Sequence, residues 1–401
     1  MKPATAIRFV AILVGVGAVI ALIAFAISLG QSGSGPGGGN GTTPFGALFP
    51  FLGRAEAPSG AVQFKDETTT QTGPVPRLRL VTSEPVSGAR FTKEGLIRYV
   101  ERGTGHVFDV HADSFESTRI SNLTLPGIEH VVWVGDSRFV AQFVRDGETV
   151  QNMLADIATS TSESTLTTVR LTGFKRAAAS ADGGTLLTVT EVGDGSRIES
   201  QTPGKAGSTR LVLSSPMRSW VPLVGGRDLM LLSAPATGVP GFLYLLESGG
   251  IGAKVVGNIP GLMALPSPDG RYVAYSGAIA TGMALAVLDR KTETLETIPI
   301  STIVEKCAWF PTGEPRLFCG IPKSPTAVAL DSWLLGLGDF SDNAWVISPV
   351  NGISTLVIDL ANESGRPLDL VNPSVSEIMQ SFKTKPTSRS GLWSFLLDKF
   401  S

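Results

Sequence analysis

The sequence predicts an all-β fold that follows a single apolar segment. Two observations carry the all-β part. The 401 residues include 46 glycines and 26 prolines, which favour the tight turns that join many short strands. A strand, turn and strand pattern also recurs at nearly constant spacing over most of the chain. The third observation is a charge-free segment of 21 residues, from Phe9 to Leu29.

The segment from Phe9 to Leu29 is long enough to cross a bilayer. A helix rises about 1.5 Å per residue, so 21 residues cover a hydrocarbon layer of about 30 Å. The apolar part of a cleaved signal peptide is shorter, about 7 to 15 residues. We therefore expect an uncleaved transmembrane anchor at residues 9–29. Cleavage at the small-x-small sequence Ala26-Ile27-Ser28 is the alternative.

Basic residues flank this segment on one side only. Lys2 and Arg8 precede it, and the first charge after it is Arg54. Because basic flanks stay in the cytoplasm, residues 1–8 are predicted to be a cytoplasmic stub. All that follows the anchor is predicted to be extracytoplasmic, either periplasmic or extracellular. Residues 30–76, which include QSGSGPGGGNG, have the composition of a flexible linker rich in glycine and proline.

The segment PSPDGRYVAYS, residues 266–276, has the pattern of a hairpin with a tight Asp-Gly turn. Five other segments also have an apolar strand, a turn pair and a second apolar strand, and they follow one another at steps of 42 to 46 residues. The six turns are centred near Glu94, Asp136, Asp182, Gly225, Asp269 and Thr312. A weaker seventh copy follows near Glu377. A strand-rich period of about 40 to 50 residues is typical of propellers, with one four-stranded blade per period. Residues 77–401 are therefore predicted to form a seven-bladed β-propeller.

The residues SPDGRYVAYS, 267–276, resemble the repeat of TolB-like, WD-like β-propellers, and SADGGTLLTV, 180–189, is similar. The resemblance covers roughly residues 77 to 400. It implies a propeller fold, and it implies interaction with a partner rather than turnover of a substrate.

The last blade lacks one strand, because its final segment GLWSFLLDKF ends close to the carboxyl terminus. The segment RLRLVTS, residues 77–83, precedes the first copy of the repeat. We predict that it supplies the missing strand and closes the ring, which removes an unpaired sheet edge.

An insertion of about 22 residues follows the sixth turn, at residues 321–343. In propellers of this kind the connection between the second and third strands emerges on the face opposite the hairpin turns. The insertion mixes aromatic and acidic groups, the composition of an interface anchor with a polar rim. The candidate partner-binding residues are Asp331, Trp333, Asp339, Phe340 and Asp342. The alternative is that Trp333 and Leu334 plug the central channel.

The two cysteines, Cys307 and Cys319, are equidistant from Gly313 in the sixth hairpin. Facing residues of paired strands lie about 4.5 to 5.5 Å apart, which suits a disulfide. An extracytoplasmic location also favours the bridge. Two buried thiols are the alternative.

Motifs for catalysis, metal ions or cofactors do not stand out. The three histidines, His106, His111 and His130, have no metal-ligand spacing. The sequence therefore predicts no catalytic residue, metal or cofactor. With 33 basic and 35 acidic residues, it also lacks the positive charge that nucleic-acid binding requires.

Together these features predict a membrane-anchored extracytoplasmic β-propeller. Its expected role is a protein–protein interaction or scaffold module of the cell envelope, whose partner is a protein or another envelope component. The alternative is an extracytoplasmic hydrolase or lyase with its site in the propeller channel. A third hypothesis, a sensor of a small molecule or ion, requires a membrane partner because the cytoplasmic stub is too short for a signalling domain.

Overall fold

The computed structural model describes residues 76–397, except 112–113, 146–148, 160–163, 172, 248–249, 281, 325–326, 377–378 and 385–390. The predicted stub, the predicted anchor at Phe9 to Leu29 and residues 30–75 of the predicted linker lie outside this range. In the described part of the chain, no helix combines the length and the apolar character needed to cross a lipid bilayer.

The described strands form seven antiparallel sheets of four strands each. The first blade contains β2 (Val86–Phe91), β3 (Ile97–Glu101), β4 (Val107–Val110) and β5 (Ser117–Arg119). The second contains β6 (His130–Trp133), β7 (Arg138–Arg145), β8 (Thr149–Thr159) and β9 (Ser164–Leu171). The third contains β10 (Arg176–Ala179), β11 (Leu186–Val192), β12 (Gly195–Gln201) and β13 (Arg210–Ser215).

The next three blades repeat this order. The fourth contains β14 (Trp220–Gly225), β15 (Asp228–Ser233), β16 (Pro240–Glu247) and β17 (Gly250–Pro260). The fifth contains β18 (Met263–Pro266), β19 (Tyr272–Ile279), β20 (Gly282–Asp289) and β21 (Thr294–Ile298). The sixth contains β22 (Cys307–Trp309), β23 (Leu317–Pro322), β24 (Asp342–Ser348) and β25 (Ile353–Ile358).

The seventh blade joins the two ends of the described chain. It contains β26 (Leu370–Val375), β27 (Met379–Thr384), β28 (Gly391–Leu396) and β1 (Leu78–Thr82). Strand β1 pairs with β28, and Leu80 lies opposite Trp393. The predicted closure of the ring by residues 77–83 is therefore confirmed. The fold is a seven-bladed β-propeller.

Three short helices complete the described structure. They are a 3-10 helix (Val304–Lys306) before β22, α1 (Ala327–Leu334) between β23 and β24, and α2 (Leu360–Ser364) after β25. Helix α2 begins at Asp359, whose carboxylate accepts hydrogen bonds from the backbone N–H groups of Ala361 and Asn362. It ends at Gly365, which adopts the left-handed conformation common at helix ends.

The Ser-x-Asp-Gly residues of the repeat build the turn between the first two strands of a blade. In the fifth blade, Asp269 Oδ1 accepts a hydrogen bond from the backbone N–H of Arg271 at 3.1 Å. Ser267 Oγ accepts one from the N–H of Tyr272 at 2.9 Å. Gly270 takes a positive φ of 76°, which favours glycine. The Asp-Gly turn predicted for residues 266–276 is therefore confirmed, together with its physical cause.

The hydrophobic core is divided among the blade interfaces. The buried apolar residues of the described chain group into seven clusters, one between each pair of neighbouring blades. The cluster between the seventh and first blades includes Leu392 of β28 together with Ile97 and Tyr99 of β3. Packing as well as strand pairing therefore holds the two ends of the ring together.

Candidate functional site

The insertion of the sixth blade, residues 323–341, connects β23 to β24 and contains α1. Strand β23 runs away from the hairpin turn near Gly313, so the insertion emerges on the opposite face of the propeller. This is the face expected from the sequence. The insertion extends across two blades, because Asp331 accepts a hydrogen bond from Thr237 Oγ1 in the connection between β15 and β16.

A buried ion cluster fixes the base of the insertion. Lys306, Asp342 and Asp369 have no solvent-accessible surface. Lys306 Nζ donates hydrogen bonds to Asp342 Oδ2 at 2.6 Å, to Asp369 Oδ1, and to the backbone oxygen of Leu370 at 3.2 Å. The cluster thus joins the 3-10 helix, the end of the insertion and the entry to the seventh blade.

Two aromatic residues of the insertion complete this cluster. Trp333 Nε1 donates a hydrogen bond to Asp369 Oδ2 at 2.8 Å, and the backbone N–H of Phe340 donates to the same oxygen at 3.1 Å. Lys306 Nζ lies 5.4 Å from the ring centroid of Trp333 and 5.1 Å from that of Phe340, within the range of cation–π interactions. Both ends of the segment from Trp333 to Phe340 are therefore held in place.

The cluster holds two carboxylates against one ammonium group. Burial raises the pKa of Asp342 to about 6; the Asp369 carboxylate raises this pKa further, while Lys306 opposes the rise. Within the described residues, Asp342 Oδ1 has no hydrogen-bond partner. The ionised form of Asp342 is therefore the costly form in the folded protein.

The tip of the insertion exposes two leucines. Leu335 and Leu337 are 72% and 77% exposed, the highest values among the large exposed hydrophobic residues in the described chain. Gly336, between them, has a positive φ of 72°. Asp331 and Asp339 are exposed on either side of this tip. The surface of the insertion therefore combines a small apolar tip with an acidic surround.

The five candidate partner-binding residues separate into two groups. Asp331 and Asp339 lie at the surface, whereas Trp333, Phe340 and Asp342 are buried. Their role in partner binding stays a prediction. Trp333 packs in the cluster between the fifth and sixth blades, with Leu334 against it. Neither is among the described residues that line the channel cavity.

Sequence reasoning missed the exposed leucines and two members of the ion cluster. The run Leu335-Gly336-Leu337-Gly338 could have indicated this exposure, because leucines that alternate with glycine have few neighbouring side chains to pack against. No sequence pattern indicated that Lys306 and Asp369 belong to one cluster. They are 63 residues apart, and only the ring of blades brings them together.

The disulfide between Cys307 and Cys319 is confirmed. The two residues face each other on β22 and β23, and their Cα atoms are 4.1 Å apart. Cys307 directly follows Lys306, so the bridge stabilises the strand that begins at the ion cluster.

The histidines lie apart from the insertion. His106 Nε2 is 3.1 Å from Thr124 Oγ1, and His111 contributes its backbone oxygen to the Arg79 guanidinium. His130 lines the central channel. Among the residues that the structure describes, no three His, Cys, Asp or Glu side chains are grouped so that they could hold a metal ion.

The central channel contains a cavity of about 550 Å³. The innermost strands of all seven blades contribute to its wall, and most of the lining side chains are apolar. Its lining includes three titratable side chains, Lys383, His130 and Glu305.

Comparison with known proteins finds similarity of structure only. No known family model matches the sequence, and no curated protein matches it either. A manganese-bound oligogalacturonate lyase is 13% identical, with a TM-score of 0.54, over 80% of this chain and 93% of that one. The β-propeller domain of the trilobed protease from Pyrococcus furiosus is 12% identical, with a TM-score of 0.50, over 79% of this chain and 98% of that domain. TolB from Acinetobacter baumannii is 11% identical, with a TM-score of 0.42, over 68% of this chain and 62% of TolB.

The likeness is one of fold. The propeller predicted from the TolB-like, WD-like repeat is confirmed by the seven sheets and by the similarity to the trilobed protease β-propeller domain. The trilobed protease domain has an open velcro topology. In the present protein the ring is closed instead, because β1 and β28 pair within one sheet.

Proposed function

We propose that the protein is a membrane-anchored extracytoplasmic β-propeller that acts as a protein-interaction or scaffold module of the cell envelope. Its binding surface is the insertion of the sixth blade. The observation that carries this proposal is the exposure of Leu335 and Leu337 on a segment held by the buried Lys306 cluster.

A fixed apolar tip is suited to binding another protein. Isolated exposed leucines are common on soluble proteins, but these two are neighbours on a segment whose flanks are buried and hydrogen-bonded. A segment that is already ordered loses little conformational entropy when it binds. Leu335 and Leu337 would enter an apolar pocket of the partner, and basic residues around that pocket would face Asp331 and Asp339.

The amino-terminal sequence supports the location. The charge-free segment from Phe9 to Leu29 has the length of a membrane span, and basic residues precede it. For a linker of residues 30–76, square-root scaling gives an end-to-end distance on the order of 35 to 40 Å. The propeller could therefore reach partners at some distance from the membrane surface.

The experiment compares two charged double variants of the full-length protein in its own membranes. Leu335→Asp/Leu337→Asp changes the tip of the insertion. Leu211→Asp/Leu295→Asp changes two exposed leucines on outer strands of other blades and serves as the matched control. A photo-crosslinking residue at position 337 in the unchanged background labels the partner directly.

We expect the partner that crosslinking identifies to co-purify with the unchanged propeller protein and with the control variant. The insertion variant should no longer co-purify with this partner. The melting temperature of the variant should stay unchanged because both leucines are exposed. Recovery of the same protein with the insertion variant would contradict the proposed binding surface. A crosslink to lipid alone would show that the tip contacts the membrane instead.

A further inference from the structure

The channel wall has an apolar side and a polar side. The third, fourth and fifth blades contribute only apolar described residues to the cavity, among them Leu223, Leu265 and Pro266. The polar and charged lining residues come from the sixth, seventh, first and second blades. A molecule in this cavity would therefore meet two chemically different surfaces.

Lys383 is the central charged group of the polar side. It extends from β27 in the seventh blade, and its Nζ donates a hydrogen bond to the backbone oxygen of Ser87 in the first blade at 3.2 Å. Among the described residues, the Ser87 oxygen is the one hydrogen-bond acceptor of this ammonium group, and no carboxylate forms an ion pair with it. Two of its three N–H donors therefore have no acceptor among the described residues, and a ligand can accept from them.

Two neutral polar side chains line the same cavity. His130 and Asn372 have no hydrogen-bond partner for their side chains among the described residues. Water can reach His130 inside the channel, but surrounding protein and nearby Lys383 lower its pKa to about 4. The ring is therefore neutral at pH 7. Asn372 sits at an irregularity of β26 with a φ of 47°.

These groups lie toward one end of the channel. His130 is the first residue of β6, and Ser87 is the second residue of β2. The inner strands of all blades run in the same direction, so their first residues share one end of the cavity. This end is also the face from which the insertion emerges.

Among the described lining residues, the positive charge of Lys383 has no anionic partner. Glu305 is the one carboxylate among the described lining residues, but it belongs to the sixth blade and has an interaction of its own. Burial, together with the nearby Arg102 charge, lowers the pKa of Lys383 to about 8, which still leaves this side chain largely protonated at pH 7. An ammonium group in an apolar cavity is costly unless an anion pairs with it.

We propose that the channel binds a small carboxylate that carries an apolar body. The carboxylate accepts hydrogen bonds from Lys383 Nζ, and His130 and Asn372 supply further polar contacts. The apolar body packs against the wall formed by the third, fourth and fifth blades. A cavity of about 550 Å³ lies within the size range of small-molecule pockets, which combine apolar walls with a few polar groups.

The test uses the full-length protein in lipid nanodiscs, with empty nanodiscs as the blank. The carboxylate probes are phenylacetate, phenylbutanoate and naphthoate. Phenylbutanol and phenylbutylamine match the second probe in shape but not in charge. Binding is measured by calorimetry and by tryptophan fluorescence, since Trp133 and Trp309 line the cavity.

Three variants locate the site. Lys383→Met removes the charge, and we expect it to weaken carboxylate binding about ten- to hundredfold with little effect on phenylbutanol. Lys205→Met, at an exposed lysine outside the channel, is the matched control and should bind as the unchanged protein does. Ala308→Phe fills the channel from β22 and should weaken binding of every probe.

The proposal is supported if at least one carboxylate binds more tightly than its alcohol and amine counterparts, and if Lys383→Met removes that preference. It is overturned if none of the three carboxylates binds, if the amine binds equally well, or if Lys383→Met retains the preference. Should Lys383→Met fail to fold, Ala308→Phe decides the location. Undiminished carboxylate binding by that variant places the site outside the channel.

Discussion

Lys306 Nζ lies 2.6 Å from Asp342 Oδ2, and both side chains are fully buried at the base of the insertion. The chain positions they occupy are 36 residues apart, on different sides of the inserted segment. A buried ion pair contributes little net stability compared with apolar residues of the same size, but it costs much when one member is removed. Lys306 also donates to Asp369 at the entry to the seventh blade, so the cluster makes the insertion dependent on the correct arrangement of the sixth and seventh blades.

The first prediction concerns the loss of the central cation. Lys306→Met leaves Asp342 and Asp369 buried without their shared partner, and we expect a loss of about 3 to 5 kcal/mol in the free energy of unfolding. Denaturation by urea, followed by tryptophan fluorescence, measures the loss. Lys205→Met, at an exposed position, should change the same quantity by less than about 0.5 kcal/mol.

A triple variant separates loss of charge pairing from loss of packing. Lys306→Met/Asp342→Asn/Asp369→Asn removes all three charges, so it should recover part of the stability that Lys306→Met loses. If the triple variant is less stable than the single variant, the ion cluster is not the reason for the loss.

The second prediction concerns the pH dependence of stability. Because burial raises the pKa of Asp342 to about 6, the folded protein binds a proton more tightly than the unfolded chain, where aspartate has a pKa of about 3.9. Between about pH 4 and pH 6 the folded state therefore holds more protons, and the contribution of Asp342 to stability falls as the pH rises. Asp342→Asn should flatten this part of the profile.

Urea denaturation at intervals from pH 4 to pH 7 measures this effect, and the difference between the unchanged protein and Asp342→Asn isolates it. Asp289 titrates in a different window, since its hydrogen bonds from Arg271 lower its pKa to about 2. Equal slopes for the two proteins between pH 4 and pH 6 would show that Asp342 is ionised throughout.

The third prediction concerns the closure of the ring. Deleting residues 77–83 removes β1, leaves β28 as an unpaired edge and uncovers the cluster between the seventh and first blades. We expect a lower melting temperature, by about 2 to 4 °C for each kcal/mol lost, and a greater tendency to aggregate. Deleting residues 31–37 removes the same number of residues from the predicted linker. That control should leave the melting temperature unchanged.

The fourth prediction concerns the disulfide. Unfolded protein that has not been reduced should contain no reactive thiol, and reduction should release two, from Cys307 and Cys319. The bridge closes a short loop, so reduction should lower the free energy of unfolding by about 3 kcal/mol in the chain-entropy model. Two reactive thiols before reduction would mean that the bridge does not form in the protein as isolated.

The repeating parts of the structure were predictable because their causes are local. A turn pair between two apolar runs favours a hairpin through local interactions, so the spacing from Glu94 to Thr312 predicted the blades. The disulfide followed from the same hairpin geometry, since Cys307 and Cys319 are symmetric about its turn. The missing strand of the last blade similarly pointed to the segment before the first blade.

The candidate sites were less predictable because they depend on contacts between distant parts of the chain. Trp333 and Phe340 have the composition of an interface anchor, yet both are buried against Lys306. Both donate hydrogen bonds to Asp369, which lies at the entry to the next blade. Lys383 enters the channel only because β27 stands beside the first blade, across the closure of the ring. A pattern within one repeat cannot indicate contacts of this kind.

The last prediction tests why glycine occupies the hairpin turns. Gly270 and Gly95 have nearly equal φ angles, 76° and 80°. A Cβ atom at Gly270 would lie 2.4 Å from the backbone oxygen of Gly225 in the neighbouring turn, whereas a Cβ atom at Gly95 would meet nothing within 4 Å. The two positions therefore share the same backbone strain and differ in the space around them.

Gly95→Ala should cost about 1 to 2 kcal/mol, the strain of a left-handed alanine. Gly270→Ala should cost more, by about 1 to 3 kcal/mol, because the fourth and fifth blades must move apart to admit the methyl group. Urea denaturation of both variants measures the difference. Equal losses would mean that glycine is required at these turns for its backbone conformation alone, and that the close contact between neighbouring turns does not add to the requirement.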